Sequence, residues 1–491
     1  MIPVTTSAGK RVAVFGLGAS GRATALALVT GGATVAAWDD NEASRVVAAG
    51  AGVPLVDLST ADWSSFASLV LAPGVPLTHP APHWVVAKAR GAGVDVIGDI
   101  ELFCRERAAG CPQSPFIAIT GTNGKSTTTA LVAHILRGAG RSVEMGGNIG
   151  HAILTLEPPA SDRIHVIELS SFQIDLTPSL APSVGVLLNI TPDHLDRHGP
   201  ADDPEGAMRR YAAIKTRLAD AADVAILGLE DGSDAAGTDL CAPIYRRLES
   251  IGRSVRAFTR RPARAVGLPW YENGRGQRLI RTGDGGSSSE VLFETTGIDT
   301  LRGAHNGQNA AAAFLVCEAL GLSPDEITRG MRTYPGLPHR LEQVGRVGRV
   351  IYINDSKATN ADSTEKALSS WERDIHWILG GKPKEGGITT LRAYFPRISR
   401  AYLIGEASEA FAATLQGQVP FERCGTLDVA LQRASADAAL STGAEPVVLL
   451  SPACASYDQF GSFEQRGDLF RSLARALPGV VIVSGGDPTC D

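Results

Sequence analysis

The residues best suited to chemistry form a glycine-rich loop, Gly121-Thr-Asn-Gly-Lys-Ser-Thr127, between a predicted strand and a predicted helix. At such a junction, backbone N–H groups and the positive end of the helix dipole can hold phosphate oxygens. Lys125 would contact the β- and γ-phosphates, and Ser126 would face Mg²⁺. Ile119 stands where the usual pattern has its first glycine, so the loop is a variant. A plain strand-turn-helix junction is the alternative, but Gly-Lys-Ser-Thr at this place favours nucleotide binding.

A second glycine pattern, Gly16-Leu-Gly-Ala-Ser-Gly21, also follows a strand and begins a helix. Asp39 ends the next predicted strand, where dinucleotide-binding folds place a ribose carboxylate. The pattern alone suggests NAD, although the same glycines can serve close packing of helix on strand. No other feature of the sequence indicates hydride transfer. We therefore interpret Gly18, Ser20 and Asp39 as contacts for a UDP-linked substrate, whose pyrophosphate would lie at the helix start.

Three polar clusters follow the phosphate-binding loop, each after an apolar run or a turn. They contain Asn148 in Gly-Gly-Asn-Ile-Gly, Glu168 in Ile-Glu-Leu-Ser-Ser and His194 in Thr-Pro-Asp-His-Leu-Asp-Arg. A carboxylate at the end of a buried strand is costly unless it is paired or binds metal, so Glu168 is a candidate Mg²⁺ ligand. His194 follows a strand and has acidic neighbours, but a surface turn is the alternative. Lys215, on a helical stretch, fits an ordinary solvated side chain.

The composition narrows the class of protein. The 491 residues are 44% hydrophobic and 20% charged, which is typical of a soluble globular protein of about two to four domains. The net charge of −6 and the pI near 6.0 give no general attraction to nucleic acid or anionic membranes. The seven scattered cysteines do not form a disulfide pattern. We expect a cytoplasmic protein without signal peptide, membrane span or nucleic-acid partner.

Short β-branched runs alternate with helix-like segments along most of the chain, which predicts an α/β fold with parallel sheets covered by helices. The first unit begins with the runs Arg11 to Phe15 and Thr34 to Trp38, and its last element precedes Phe103. From Glu230 to Thr300 the apolar pattern weakens, so we expect loops or an irregular insertion around sparse strands. The strands of a second and a third unit, divided near Gly336, are predicted at Pro115 to Thr120, Ile164 to Leu169, Val184 to Ile190, Val350 to Ile353, Ile375 to Leu379, Ala401 to Ile404 and Val447 to Leu450.

The order of these motifs resembles the Mur ligase family, which shares its plan with folylpolyglutamate synthases. The resemblance runs from Val12 to roughly Leu477 and includes the phosphate-binding loop and Glu168. Its other motifs are Thr-Pro-Asp-His194-Leu-Asp, Tyr-Ala-Ala-Ile-Lys215, His305-Asn-Gly-Gln-Asn309, Leu-Pro-His-Arg340, Ile-Asn-Asp355-Ser-Lys-Ala-Thr359-Asn and Leu-Ser-Pro-Ala-Cys-Ala-Ser456-Tyr-Asp-Gln-Phe. The last two, with Gly-Asp-Ile-Glu-Leu-Phe103, are similar to the members that add D-glutamate.

The resemblance implies a ligase with three domains: a Rossmann-like UDP-substrate-binding domain at 1–103, a central P-loop-type ATPase domain with a parallel sheet at 104–336, and a Rossmann-like amino-acid-binding domain at 337–491. It implies that ATP converts the carboxylate of UDP-N-acetylmuramoyl-L-alanine into an acyl phosphate, which D-glutamate attacks, in peptidoglycan precursor synthesis. It also implies two Mg²⁺ ions, a CO₂-derived carbamate on Lys215, and a monomer. Another Mur ligase or a folylpolyglutamate synthase-like ligase is the first alternative. A non-catalytic nucleotide-binding module or a dehydrogenase is the second.

The same resemblance assigns roles to single residues. The expected catalytic residues are Lys125, His194 and Lys215, and Asn148 joins the expected UDP-substrate contacts. The expected metal ligands are Ser126, Glu168, His194 and Lys215. The expected ATP contacts are Gly121, Thr122, Asn123, Gly124, Lys125, Ser126 and Thr127, with Asn306 and Asn309 on the adenine side and Arg340 and Asp355 on the hinge face. The expected D-glutamate contacts are Lys357, Thr359, Lys384, Ser456 and Phe463. The chain departs from the family at Ala19-Ser20, around Lys384, in the long segment from 230 to 300 and after Leu477.

Overall fold

The structure is a computed structural model that describes residues 1–229, 239–259, 270–273, 277–282, 289–383 and 386–482. The chain divides into two compact units, the first with residues 1–294 and 308–332 and the second with residues 295–307 and 333–491. Three sheets with flanking helices confirm the predicted α/β class. In the described ranges, no helix is both long enough and apolar enough to cross a membrane.

The first sheet is built from β1 (Arg11–Phe15), β2 (Thr34–Trp38), β3 (Ser68–Leu71) and β4 (Asp95–Ile97), with helices α1 (Ala19–Thr30), α2 (Glu42–Gly50), α3 (Trp84–Gly91) and α4 (Asp99–Gly110). All four strands are parallel, in the order β2-β1-β3-β4. Their apolar runs are buried, as expected where helices cover both faces of a parallel sheet. Strands β1 and β2 have the predicted bounds, because their apolar, β-branched runs suit a buried strand.

The second sheet has nine strands: β5 (Phe116–Thr120), β6 (Ser142–Gly147), β7 (Arg163–Glu168), β8 (Val184–Leu187), β9 (Val224–Leu229), β10 (Ser254–Thr259), β11 (Trp270–Asn273), β12 (Gln277–Thr282) and β13 (Ser289–Glu294). Its helices are α5 (Lys125–Gly138), α6 (Ser171–Asp175), α7 (Pro204–Ala221), α8 (Cys241–Ser250), α9 (Ala304–Ala319) and α10 (Pro324–Arg332). The strand order is β13-β12-β11-β10-β9-β8-β5-β7-β6. Strands β5 to β10 run parallel. The carboxyl ends of β5, β7 and β8 therefore meet at one edge, where parallel sheets usually bind ligands.

The segment predicted to be irregular contains more regular structure than expected. Its described part includes α8 and four strands, of which β10 continues the parallel sheet and β11 to β13 form an antiparallel extension. The prediction of an irregular insertion was wrong because these strands gain their order by pairing with a neighbouring strand. Arg278 and Glu294, for example, lie opposite each other and form an ion pair of 3.3 Å across β12 and β13.

The second unit contains a sheet of seven strands: β14 (Glu342–Val347), β15 (Val350–Asn354), β16 (Ile375–Gly380), β17 (Ile398–Ile404), β18 (Phe421–Gly425), β19 (Val447–Leu450) and β20 (Val481–Ile482). Its helices are α11 (Ala361–Ser369), α12 (Ser408–Leu415), α13 (Leu427–Leu440) and α14 (Phe463–Arg475). The order is β18-β17-β16-β19-β15-β14-β20, parallel from β18 to β15 and antiparallel at β14 and β20. Separate apolar cores cover the two faces of this sheet.

The predicted domain boundaries can be placed on these elements. Phe103 lies inside α4, and the first unit changes to the second after Arg332, a few residues before the predicted boundary at Gly336. The three-domain boundaries stay a prediction. Short 3₁₀ helices are described at Thr5–Ser7, Trp63–Ser65, Ile153–Thr155, Leu195–Arg197, Asp299–Leu301 and Thr389–Arg397.

Candidate active site

The loop between β5 and α5 has the backbone that the glycine pattern predicted. Gly121 has φ +157° and Gly124, the N-cap of α5, has φ +85°, a left-handed conformation that favours glycine. A Cβ at Gly121 would lie 2.9 Å from the Cβ of Leu188, and a Cβ at Gly124 would overlap the amide oxygen of Asn309. Both glycines are therefore required by the path of the loop. A helix start of this kind presents backbone N–H groups that can hold phosphate oxygens.

Asn189, directly beyond β8, holds this loop in place. Its Oδ1 accepts hydrogen bonds from the N–H groups of Thr122 (3.1 Å) and Asn123 (2.9 Å), and its Nδ2 donates to the carbonyl of Asn123 (3.1 Å). The hydroxyl of Thr122 donates to the carbonyl of Thr191 and accepts from the N–H of Thr191. The loop is thus fixed to the end of the neighbouring strand before any nucleotide binds.

Two lysines converge on one carbonyl oxygen of the loop. Lys125 donates from Nζ to the carbonyls of Gly121 (3.0 Å) and Thr122 (2.7 Å). Lys215, from α7, donates to the same Gly121 oxygen (2.9 Å) and to Oγ1 of Thr120 (3.1 Å). Lys215 is only 1% exposed, so the interpretation of a solvated side chain was wrong. Burial, together with the charge of Lys125, lowers the pKa of Lys215 to about 7.

Glu168 ends β7 and is 1% exposed. Its Oε1 accepts from Nδ2 of Asn148 (2.7 Å), and the N–H of Asn148 donates to the Glu168 carbonyl (2.9 Å). Its Oε2 is buried and, among the residues that the structure describes, has no hydrogen-bond partner. A buried carboxylate oxygen without a donor is costly unless it binds a cation, so this atom fits the predicted Mg²⁺ ligand. Asn148, predicted as a UDP-substrate contact, lies against this carboxylate.

His194 lies in a turn with φ +50°, and its side chain is 62% exposed, with Nε2 at 3.6 Å from Asp193. The more buried histidine is His198, whose ring stacks on Phe172 at 5.3 Å and whose Nε2 is 3.0 Å from Oγ of Ser171. Burial, and then the charge of Lys215, lowers the pKa of His198 to about 4, so its ring is neutral near pH 7. Within the described ranges no three His, Cys, Asp or Glu side chains are close enough to hold a metal ion by themselves.

The second glycine pattern is held by the predicted carboxylate. Asp39 accepts from the N–H of Leu17 (2.6 Å) through Oδ2 and from the N–H of Asn41 (2.8 Å) through Oδ1. A Cβ at Gly21 would overlap the Gly16 carbonyl, so Gly21 serves close packing inside the turn. Gly18 is the N-cap of α1, its Cβ position is open, and Ser20 lies in the first turn. The start of α1, with its backbone N–H groups, thus lies close to the carboxylate of Asp39.

The predicted adenine-side asparagines are both buried. Nδ2 of Asn306 donates to the carbonyl of Arg302 (2.8 Å) within the second unit. Asn309 belongs to the first unit, where its Oδ1 accepts from the hydroxyl of Thr128 (3.2 Å) and lies beside Gly124. The structure therefore places Asn309 against the phosphate-binding loop.

In the second unit, the predicted nucleotide contacts flank the β14–β15 pair, with Arg340 before β14 and Asp355 directly after β15. Asp355 is buried, and it accepts from the hydroxyl of Ser451 (2.8 Å) and from the N–H of Leu341 (3.2 Å). Burial raises its pKa to about 7. Nε of Arg340 is buried and, in the described part of the chain, has no hydrogen-bond partner. Both side chains thus keep polar groups that a ligand could satisfy.

Four of the five predicted D-glutamate contacts are described, and Lys384 lies outside the described residues. The ammonium of Lys357 is 5.4 Å from the centre of the Phe463 ring, so these two are brought together. Ser456 is 2% exposed, and its carbonyl accepts from two following N–H groups. Thr359 follows in the same turn as Lys357.

Comparison with known proteins shows which protein family and which named enzymes the chain is similar to. The family model described as the Mur ligase middle domain matches residues 119–317, and the Mur ligase glutamate ligase domain matches residues 339–454. A relative from Brucella abortus (strain 2308), named UDP-N-acetylmuramoylalanine–D-glutamate ligase, is 54% identical over 486 residues, 99% of this chain and 100% of the relative. A relative of the same name from Nitrobacter winogradskyi is 56% identical over 487 residues, 98% of this chain and 100% of the relative.

The chain belongs to the Mur ligase family. Its fold is also that of solved Mur ligases. A UDP-N-acetylmuramate-alanine ligase from Thermotoga maritima matches with TM-score 0.56 and 18% identity, over 94% of this chain and 98% of that one. A MurF ligase from the same organism, in complex with ADP, matches with TM-score 0.53 and 15% identity, over 84% of this chain and 90% of that one.

Sequence reasoning missed two residues at the centre of this Mur ligase site, Asn189 and His198. Asn189 is an amide that interrupts the apolar run from Val184 to Ile190, which is the signal that could have identified it. A buried polar residue needs hydrogen-bond partners, and here Asn189 finds them in the loop backbone. His198 carried no comparable signal, because its burial comes from Phe172 on another element.

Proposed function

We propose that this Mur ligase joins the amine of D-glutamate to the carboxylate of UDP-N-acetylmuramoyl-L-alanine in peptidoglycan precursor synthesis, while ATP becomes ADP and phosphate. The observation that carries the proposal is the 54% to 56% identity, over 98% to 99% of the chain, to relatives named for this reaction. The buried phosphate-binding loop with its two lysines supports the ATP-dependent step.

The reaction needs a leaving group on the substrate carboxylate, because a carboxylate is a poor electrophile. An oxygen of that carboxylate accepts the γ-phosphoryl group of ATP, and ADP leaves. The amine nitrogen of D-glutamate then attacks the carbonyl carbon, the C–N bond forms, and phosphate departs as the amine loses its proton. Phosphoryl transfer depends on positioning and charge neutralisation, which loops of this kind supply.

The phosphate-binding loop provides the first part of that positioning. In the proposal, the loop from Gly121 to Thr127 holds the phosphates through the backbone N–H groups at the start of α5, and Lys125 leaves its two backbone carbonyls to neutralise charge on the γ-phosphoryl group. Asn189 keeps the loop in the binding conformation while this happens. Asn306, Asn309, Arg340 and Asp355 are proposed to complete the ATP contacts.

Four residues are proposed to hold two Mg²⁺ ions, namely Ser126, Glu168, His194 and Lys215. The observation that fits a cation is the buried Oε2 of Glu168, which has no hydrogen-bond partner among the residues that the structure describes. When bound, Mg²⁺ neutralises phosphate charge as a Lewis acid. Lys215 needs a new chemical form for this role, since an ammonium cannot bind a metal.

A carbamate on Lys215 supplies that form. With its pKa lowered to about 7, a large share of Lys215 is the neutral amine near pH 7. The amine nitrogen attacks CO₂, an N–C bond forms and a proton is released, which converts a donor into an oxygen ligand. This exchange would also remove the repulsion between Lys215 and Lys125.

The remaining contacts complete the proposal. The UDP part of the substrate contacts Gly18, Ser20, Asp39 and Asn148. D-Glutamate contacts Lys357, Thr359, Lys384, Ser456 and Phe463, whose cations and hydroxyls suit carboxylates. We further propose a cytoplasmic monomer with domains at 1–103, 104–336 and 337–491.

A coupled phosphate-release assay tests the function. With ATP, magnesium, bicarbonate and UDP-N-acetylmuramoyl-L-alanine, D-glutamate should trigger phosphate release, while L-glutamate, L-alanine, L-lysine and meso-diaminopimelate should not. Folate acceptors should remain inactive, and UDP but not NADH should protect the protein against thermal unfolding. Phosphate release with another amino acid instead of D-glutamate would contradict the proposal.

A further inference from the structure

Arg466, in the first turn of α14, is a buried cation to which sequence analysis assigns no role. Its residue is 1% exposed. Nε donates to Oγ of Ser356 (3.0 Å), Nη2 donates to the carbonyls of Ser356 (2.9 Å) and Cys454 (3.1 Å), and Nη1 donates to the carbonyl of Ala455 (3.4 Å). Four of the five N–H groups of the guanidinium are thus bonded to neutral oxygens. In the described part of the chain, no carboxylate forms an ion pair with it.

Two further contacts extend this junction. The N–H of Lys382 donates to the same Ala455 carbonyl (2.9 Å), and a Cβ at Gly381 would overlap that oxygen and lie 3.1 Å from Nη1 of Arg466. The hydroxyl of Ser356, which accepts from Arg466, donates in turn to the carbonyl of Phe463 (2.8 Å). One guanidinium therefore joins four segments of the chain, those around Ser356, Gly381, Ala455 and Phe463.

Each of these segments carries a proposed contact for the amino acid. Lys357 and Thr359 directly follow Ser356, and Ser456 follows Ala455. Phe463 lies one helical turn before Arg466, and the Gly381 segment leads to Lys384, which lies outside the described residues. The four segments are far apart in sequence, so their mutual positions depend on what holds them together. Among the described residues, Arg466 contacts the segments around Ser356, Gly381 and Ala455 directly, and it is linked to Phe463 through the hydroxyl of Ser356.

The charge of Arg466 adds a second effect. Burial of a cation without a carboxylate partner is unfavourable, and carbonyl dipoles compensate it only in part. Burial lowers the pKa of Arg466 to about 10, so it remains charged near pH 7. Asp458 contributes an opposing charge without reaching ion-pair distance. The segments around Arg466 therefore lie in a positive electrostatic potential, which favours the binding of an anion.

We propose that Arg466 is the positioning residue of the amino-acid site: it fixes the four segments that carry the contacts, and its unpaired charge favours a dicarboxylic amino acid. This inference rests on the proposed function. Arg466 does not touch the reacting atoms, and its effect passes through the backbone that directly precedes Lys357 and Ser456.

Steady-state kinetics on purified full-length variants test the inference. Arg466→Met should raise the KM for D-glutamate about tenfold or more, as expected for loss of a buried, charge-assisted network. The KM for ATP, and ADP formation before D-glutamate is added, should stay within about twofold. Arg466→Lys keeps the charge but loses the planar, forked guanidinium. Its KM for D-glutamate should therefore lie between those of the wild type and Arg466→Met. Ser356→Ala should raise the KM for D-glutamate roughly threefold.

The control is Arg475→Met, the same change in the last turn of α14, which should leave the KM values for D-glutamate and for ATP unchanged. A folded Arg466→Met with a normal KM for D-glutamate, or one whose KM values for D-glutamate and ATP rise together, overturns the inference. If Arg466→Lys is as impaired as Arg466→Met, the charge part is wrong. If neither Arg466 variant folds, Ser356→Ala decides alone, and an unchanged KM for D-glutamate overturns the inference. Failure of the proposed function would instead appear as a wild-type protein that releases no phosphate with D-glutamate.

Discussion

Each unit of this Mur ligase buries a cation beside its candidate ligand contacts, but the two cations behave differently. Lys215 in the first unit and Arg466 in the second are both 1% exposed, and both donate to main-chain carbonyls. Burial lowers the pKa of Lys215 to about 7 and that of Arg466 only to about 10. Near pH 7 the first is partly neutral and the second is charged.

The difference shows how residue type selects the role of a buried cation. A primary amine loses its proton when it is desolvated, and the neutral form is a nucleophile that can react with CO₂. A guanidinium keeps its charge, and its planar fork can bond several carbonyls at once. The first region can therefore change its chemical form, while the second provides a fixed charge and a fixed backbone.

The largest effect is expected in the first region, at the lysine that we propose to contact the γ-phosphoryl group. Lys125→Ala should lower turnover about 100-fold or more, because it removes a group that stabilises charge in the transition state. D-Glutamate-dependent phosphate release measures it, with exposed Lys10→Ala as the control. Near-normal phosphate release by the folded variant would refute the assigned role.

The contrast between Lys215 and Arg466 would be wrong if Lys215 stayed a charged ammonium and never reacted. Lys215→Met should lower turnover at least about tenfold, because the proposed carbamate cannot form. Wild-type protein with ¹³C-bicarbonate should show a carbamate carbon signal that is missing from the variant. That signal should grow as pH rises through about 7, since only the neutral amine reacts and the pKa is lowered to that value. A signal that falls with rising pH would be the opposite of this expectation.

The two regions also differ in what holds their loops, a neutral amide at Asn189 and a guanidinium at Arg466. In Asn189→Ala the N–H of Asn123 loses its acceptor and the N–H of Thr122 keeps only the main-chain carbonyl of residue 189. The KM for ATP should therefore rise about tenfold, and the free energy of unfolding should fall by about 1–3 kcal/mol. Asn189→Asp keeps the acceptor, and its KM should rise less. Asn41→Ala, which removes the N-cap of α2, should destabilise without any change in the KM for ATP. If all three variants had the same KM for ATP, Asn189 would have no role in ATP binding.

The smallest effect is expected for Asp355, a buried side chain of the second unit whose carboxyl group is mostly protonated below about pH 7. Its pKa is raised from 3.8 to about 7, so the folded state binds the proton more tightly than the unfolded state. The free energy of unfolding should therefore decrease as pH rises from about 4 to 7, with the full loss above 7. Asp355→Asn should remove this slope and stabilise by about 1–3 kcal/mol at pH 8, measured by denaturant unfolding. A variant with the same pH slope as the wild type would show that another group titrates.

The sequence by itself determined those features that depend on local pattern. The glycine loop from Gly121 to Thr127, the strand bounds of β1 and β2, and the α/β class follow from backbone conformation and from buried apolar runs. The segment from 230 to 300 escaped this reasoning, because its strands are ordered by pairing with neighbouring strands and not by an apolar pattern of their own.

Only the tertiary structure decided which polar side chains are buried. Lys215 in Tyr-Ala-Ala-Ile-Lys and Arg466 in Glu-Gln-Arg-Gly-Asp have the local sequence of exposed helical residues. Their burial comes from elements far along the chain, Thr120 and Gly121 for the lysine, Ser356 and Cys454 for the arginine. Desolvation and hydrogen bonding by such distant groups set the charge state of each cation, and no local pattern contains that information.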